Sequence, residues 1–295
     1  KMTNQDLYEQ WVARYAERTL KKPTPEIKKD IDKLDVNPES DSTAINNPTI
    51  PLKSAFFLSD DFGKGFLKEY NGIVKKDYND LSALKVLNWD ENKKLVTGSN
   101  PFAVVLANQI LQKKNLRTAT QADLEKILRE NKLPLQGQYE DSSLVLRTKQ
   151  DPNKSLAEDL FEQFKSKGIT LKENSAYVIP LHTLKLRKDD NSEYKLSFDL
   201  TDTTLQNYFE APIINSKSGN YINPIEINEK TGLPTKVYNK PISGNRQLYT
   251  KNSGLSRLVL YRSLSVSSGG EDLAYSDDYG RVVVVSSEAG TPKKF

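Results

Sequence analysis

Between Lys251 and Lys293 the chain carries no lysine, although lysine is frequent in the rest of the sequence. Within residues 253–285, Leu255, Leu258, Leu260, Leu264, Val266 and Leu273 form a frame of aliphatic side chains, and Ser, Gly, Asp, Tyr and Arg occupy the positions between them. Such a segment folds with its aliphatics turned inward and its polar and aromatic fillers turned outward. Tyrosine supplies rigid contact area, and Ser, Gly and Asp supply adaptable polar contacts. The segment therefore reads as a recognition surface, with a Gly/Ser-rich hairpin closing a domain as the competing reading. Residues 282–285, four consecutive valines, predict a buried strand from their β-branched density.

A length of 295 residues suits one large or two modest domains. An apolar content of 36% beside a charged content of 28% points to a wet surface with loop-rich insertions. The net charge is only +4, and basic residues alternate with acids, so they read as solvated faces and not as a nucleic-acid patch. The absence of cysteine excludes disulfides, thiolate metal sites and a cysteine nucleophile, and fits a reducing compartment. No run approaches the roughly 18 consecutive apolar residues that span a bilayer. The first residues lack the apolar core of a signal peptide, so a cytoplasmic start is expected.

Along the chain, Leu7, Trp11 and Tyr15 give residues 4–20 the spacing of an amphipathic helix, and residues 28–51 read as a polar arm. The reading divides the chain into an arm over 1–85 and a main domain over 86–295, with an insertion at about 140–245. Asn100 and Pro101 cap a helix over 102–112, whose Val105, Ala107, Ile110 and Leu111 form an apolar stripe. Thr120 with Asp123 approximates a capping box for a helix over 120–128. A strand is expected at 144–146. A helix over 156–167 buries Leu156, Leu160, Phe161 and Phe164 and stops at Gly168. Strands over 177–186 and 194–200 are joined by a turn at 188–192, and residues 212–247 read as long surface loops.

Most catalytic readings fail on residue supply. His182 is the only histidine and has no carboxylate near it in the sequence, so it reads as a packed or surface residue, and no Ser/His/Asp order or zinc spacing is proposed. Gly63, Lys64 and Gly65 lack the leading glycine and the Lys-Ser/Thr ending of a phosphate loop. Residues 88–92 and 150–153 offer oxygen ligands without the spacing of a calcium loop, and their order is the reverse of that in calcium-dependent C-type lectins. The carboxylates of Glu271, Asp272, Asp277 and Asp278 read as a solvated acidic loop. The expectation is therefore no catalytic residue, no metal and no cofactor, and ligand binding that does not need calcium.

Residues 116–125, from Leu116 and Arg117 through Thr120 to Glu125, resemble the Arg-Leu-Pro-Thr-Glu-Ala-Glu-Trp-Glu signature of the formylglycine-generating-enzyme branch of the C-type lectin fold. Tyr279, Gly280, Arg281 and Val282–Val284 resemble the Gly-Phe-Arg-Val-Val strand that closes that branch. The resemblance extends over about residues 90–288 and implies an α+β fold of this C-type lectin subtype, here with an N-terminal helical arm and insertions. Within the branch, the lysine-free window is similar to the variable repeat of diversity-generating-retroelement variable proteins, with an archaeal variable protein the nearest likeness. There, adenine-directed copying errors turn asparagine codons into codons for Tyr, Ser, Asp, Gly, Arg, Val and others, but not Lys, Gln, Trp, Met or Glu. Glu271 departs from that set.

The resemblance implies a non-enzymatic ligand-binding protein whose variable repeat, about 253–286, meets an unknown protein or surface ligand. The contact residues it implies are Val259, Tyr261, Ser263, Ser265, Ser268, Gly269, Gly270, Asp272, Tyr275, Asp277, Asp278 and Tyr279, with Ser256 and Arg257 beside them. A structural or assembly protein with one fixed partner is the alternative. An enzyme of the formylglycine-generating type is disfavoured, because that family's oxidation uses cysteines.

Overall fold

A computed structural model describes residues 52–172, 174–222, 224–237 and 246–287. The expected helix over 4–20 and the polar arm over 28–51 lie outside the described residues. The architecture is mixed α+β, and among the described residues no helix is long and apolar enough to cross a membrane.

The valine run forms the middle of a three-stranded sheet. Strand β17 (Val283–Ser287) pairs antiparallel with β1 (Leu52–Phe57) on one side and with β4 (Leu116–Thr118) on the other. Phe57 stands opposite Val283 and Ala55 opposite Val285, so the first and last described strands close on each other. Immediately after β1, helix α1 (Asp60–Tyr78) buries Phe66, Tyr70 and Val74 at four-residue spacing in the main core. Residues 52–84 therefore belong to the same packed body as the C-terminal strand, and the division near residue 85 falls inside that packing.

The larger sheet runs β10 (Gly219–Ile222), β13 (Gln247–Thr250), β15 (Val266–Gly270), β14 (Leu255–Leu260), β5 (Tyr139–Leu146), β6 (Tyr177–Pro180) and β9 (Phe209–Glu210), with β16 (Gly280–Arg281) alongside β5. Only the β13–β15 and β16–β5 pairs are parallel. Both faces are covered. Leu144, Leu146, Tyr177, Ile179 and Leu255 face one core, while Val145, Val178, Leu258 and Leu260 face the other. This is the period-two alternation of a strand, with each face met by its own layer of side chains. The expected strand at 144–146 extends back to Tyr139 and sits in the middle of the sheet, so the supposed insertion over 140–245 supplies central strands.

Helix α2 (Pro101–Leu111) buries every residue except Gln109, where the sequence suggested a single stripe. It packs against α1, β4, β5 and β7 (Lys185–Lys188) at once, which leaves no solvent face. Helix α3 (Gln121–Arg129) starts as expected. The Thr120 hydroxyl accepts the Asp123 amide at 3.2 Å, and the Asp123 carboxylate accepts the Thr120 amide at 2.8 Å. Thr120→Ala is expected to cost about 1 kcal/mol, measured as a shift in urea unfolding midpoint at unchanged slope. Helix α4 (Lys154–Ser166) buries Leu156, Leu160 and Phe164, leaves Phe161 half-buried, and ends before Gly168 at φ +77°.

Two expectations change. Residues 177–186 do not form one strand: Pro180 lacks an N–H to continue the ladder, and the chain turns through a 3-10 segment, Leu181–Thr183, into β7. His182 thus lies in a turn, where burial pushes its pKa down to about 3. The hairpin partner of β7 is β8 (Leu196–Asp199), which pairs antiparallel with it. Residues 212–247 are more than loops, since they hold β10, the start of β13 and the hairpin of β11 (Pro224–Ile227) with β12 (Pro234–Val237). A short helix, α5 (Asp202–Asn207), precedes β9.

Candidate functional site

The lysine-free window enters as β14, turns over at residues 261–264, returns as β15, and crosses to β16 through a loop over 271–279. Strand β14 lies between β15 and β5, so all six of its residues are buried. This corrects Val259, Ser256 and Arg257, which point into the protein and not toward a ligand. Ser265 and Ser268 are buried as well. The Ser265 hydroxyl accepts the Gln247 amide at 3.1 Å, and the Ser268 hydroxyl accepts Arg147 Nη2 at 2.9 Å. Polar side chains fill these strand positions because each has a buried partner, a requirement that sequence spacing does not reveal.

The exposed remainder gathers at the two turns. Among the described residues the exposed large hydrophobic side chains are Phe62, Ile213, Tyr261, Tyr275 and Tyr279, with the three tyrosines 39%, 52% and 44% exposed. Ser263, Asp272 and Asp278 are exposed beside them, whereas Gly269, Gly270 and Asp277 are half-buried. The two turns touch through Arg262, whose guanidinium carbon sits 3.6 Å from the centre of the Tyr279 ring. The Tyr249 ring meets Tyr261 edge-on at 6.4 Å. Neither Arg262 nor Tyr249 was among the expected contact residues. Arg262 was accessible as a window filler, and Tyr249 lies just outside the window.

Not every half-buried position can vary. A Cβ at Gly270 would stand 2.7 Å from Arg257 Cγ, so the glycine is required by the arginine that crosses it. The hydrogen bond from Tyr275 to Asp277 Oδ2, 2.9 Å long, raises the Tyr275 phenol pKa. Asp272 Oδ1 accepts the amides of Ala274 and Tyr275, and Asp277 Oδ1 accepts the Tyr279 amide. Both carboxylates thus shape the loop from within.

Under the turns lie buried arginines. Arg246 makes a bidentate pair with Glu125, at 2.7 and 2.5 Å, and donates Nε to the carbonyl of Leu264. That contact holds Leu264 at φ +63°, a left-handed conformation that costs a leucine about 1–2 kcal/mol. Arg257 pairs with Asp141 at 2.6 and 2.7 Å, and Asp141 also accepts the Ser99 hydroxyl at 2.7 Å. Burial raises the Asp141 pKa against the pull of Arg257 and Ser99. Among the described residues Arg147 has no carboxylate partner. It donates to the Asn215 and Ser268 carbonyls and to the Ser256 and Ser268 hydroxyls, and burial lowers its pKa to about 10. The sequence signal for these arginines was faint: Asp141 and Arg147 flank an apolar strand run, where an isolated charge asks for a partner.

Glu140 lies next to this network, with both carboxylate oxygens buried and without a hydrogen-bond partner among the described residues. Burial raises its pKa well above the usual carboxylate range, with Arg281 opposing and Asp141 reinforcing the shift. A carboxyl whose folded pKa lies above its unfolded value contributes fully below the unfolded pKa of about 4.3 and loses that contribution as pH rises toward the folded value. Wild-type stability is therefore expected to fall with rising pH above about 4.3 relative to Glu140→Gln. Urea titrations of both proteins from acid to neutral pH measure it, and parallel pH profiles would contradict it.

Of the two oxygen-rich clusters, residues 88–92 run from strand β2 (Asn88–Asp90), paired antiparallel with β3 (Leu95–Thr97), into the connecting turn, where Asp90 Oδ1 accepts the amides of Asn92 and Lys93. In the other, Asn153 directs its amide nitrogen at the carbonyls of Leu255 and Glu271. Among the described residues no group of three or more His, Asp or Glu is placed to hold a metal ion. No protein-family model, no curated protein and no solved structure matches this chain.

Proposed function

We propose that this chain is a non-enzymatic ligand-binding protein of the retroelement-diversified kind, on a C-type lectin scaffold, and that residues 261–263 with 272–279 form its contact surface. The observation that carries this reading is the joining of two features in one segment. The window without lysine is also the one that exposes Tyr261, Tyr275 and Tyr279, the last with Arg262 stacked on its ring. Solvent-facing tyrosines in such number are costly to leave uncovered, and aromatic side chains with arginine dominate binding hot spots. The refined contact set is Tyr261, Arg262, Ser263, Tyr275, Asp278 and Tyr279. The lectin-type scaffold is supported by the antiparallel pairing of β1 with β17 and by the helix α2 that precedes the signature at residues 116–125.

The retroelement half of the reading is tested in DNA. Sequencing the flanks of the gene is expected to find a near-identical template repeat of the 253–286 coding segment, with adenines at the codons of the exposed positions, and a reverse-transcriptase gene close by. Flanks that hold neither would sink it.

A further inference from the structure

The loop over 271–280 is held along its main chain by side chains that lie elsewhere. Asn153 Nδ2 donates to the Glu271 carbonyl at 2.7 Å. Arg257 Nη1 donates to the carbonyls of Asp272 and Tyr275, at 3.3 and 2.7 Å. Asn100 Nδ2 donates to the Ala274 carbonyl at 3.1 Å, and the Tyr139 hydroxyl accepts the Asp277 amide at 3.0 Å. The Tyr139 and Gly98 amides then take the carbonyls of Tyr279 and Gly280.

These anchors are themselves fixed. Asn100 is the N-cap of α2 and also donates to the Ala83 carbonyl, while Asn153 receives the Tyr194 hydroxyl. Tyr139 donates its hydroxyl to the Ser99 carbonyl, and Arg257 is locked to Asp141. All four are buried, so none can touch a ligand that lies on the tyrosines. Their contacts reach main-chain atoms, which every residue type supplies.

We propose that Asn100, Tyr139, Asn153 and Arg257 are positioning residues that hold the loop over 271–280 in one shape, whatever side chains stand at 275, 278 and 279. The proposal rests on the recognition-surface reading for its purpose, but the geometry can be tested without it. A loop fixed in advance spares a ligand the entropy of ordering it, which is where preorganised binders gain affinity.

Amide hydrogen exchange of the full chain, read by mass spectrometry, gives the first test. Tyr139→Phe and Arg257→Met are each expected to raise exchange across 272–280 by about ten-fold relative to the amides of β6. The triple variant Tyr275→Ala, Asp278→Ser, Tyr279→Ala is expected to change it by less than about two-fold. Tyr139→Phe removes one hydroxyl and keeps the ring, so it carries the test if Arg257→Met fails to fold. Exchange that rises uniformly over the sheet, or that rises as much in the triple variant, overturns the proposal. The second test uses a peptide selected on the wild-type chain from a random displayed library. Tyr139→Phe is expected to weaken its binding by about ten-fold although Tyr139 is buried, and unchanged affinity counts against positioning. Failure to select any peptide that needs Tyr275 or Tyr279 would sink the recognition reading and leave the exchange result standing.

Discussion

Arg246→Met is expected to destabilise the protein by about 3–5 kcal/mol, because it removes the bidentate guanidinium partner of a buried carboxylate. Both partners of the Arg246–Glu125 pair are 3% exposed, and Glu125 also accepts the side-chain amide of Gln121 at 3.1 Å. The loss should also reach the turn at 261–264, since the Leu264 carbonyl would lose its donor. Replacing both partners at once, with Glu125→Leu added, should recover part of the loss, because an apolar pair leaves no charge in the core. Urea unfolding of the two variants and the wild type measures this, and a single variant as stable as the wild type would show the pair to be dispensable.

Leu273→Ala and Leu264→Ala are each expected to cost about 2–5 kcal/mol by leaving a cavity in a core that otherwise closes around them. Leu273 is buried in the main core and Leu264 in the second. Replacing Tyr261, Tyr275 and Tyr279 together with Ala should leave thermal unfolding nearly unchanged, within about 0.5 kcal/mol for each exposed position. The comparison stays within one short segment, so differences in fold context are small. Paired melting curves decide it. A triple-tyrosine variant that melts as early as Leu264→Ala would mean that the rings are part of the packing, and the contact surface would have to lie elsewhere.

The local devices were legible in the sequence. The cap at Asn100, the capping box at Thr120, the stop at Gly168 and the buried valine strand each depend on residues within a few positions of one another, and each stands as expected. Tyr261, Tyr275 and Tyr279 were legible for the same reason, since they stand between framing aliphatics at turns. Val259, Ser265 and Ser268 were misread because alternation assumes that a strand has one dry face. Val259 on β14 and Ser268 on β15 each stand on a strand paired along both edges, and Ser265 lies at the entry to β15, so all three are interior.

The extent of the packed body was also hidden. Pairing β1 with β17 joins residues more than two hundred positions apart, and nothing in either segment names the other. By itself the sequence determined where α2 and α3 start, where α4 stops, which strand is interior, and which segment carries the unusual mixture of tyrosine, serine, glycine and aspartate. Only the tertiary structure decided which of those fillers reach solvent, because that depends on where Arg147, Arg246 and Arg257 find their distant partners. A buried guanidinium must be satisfied by groups the fold brings to it, and the carbonyls it takes fix the turns on which the exposed side chains stand.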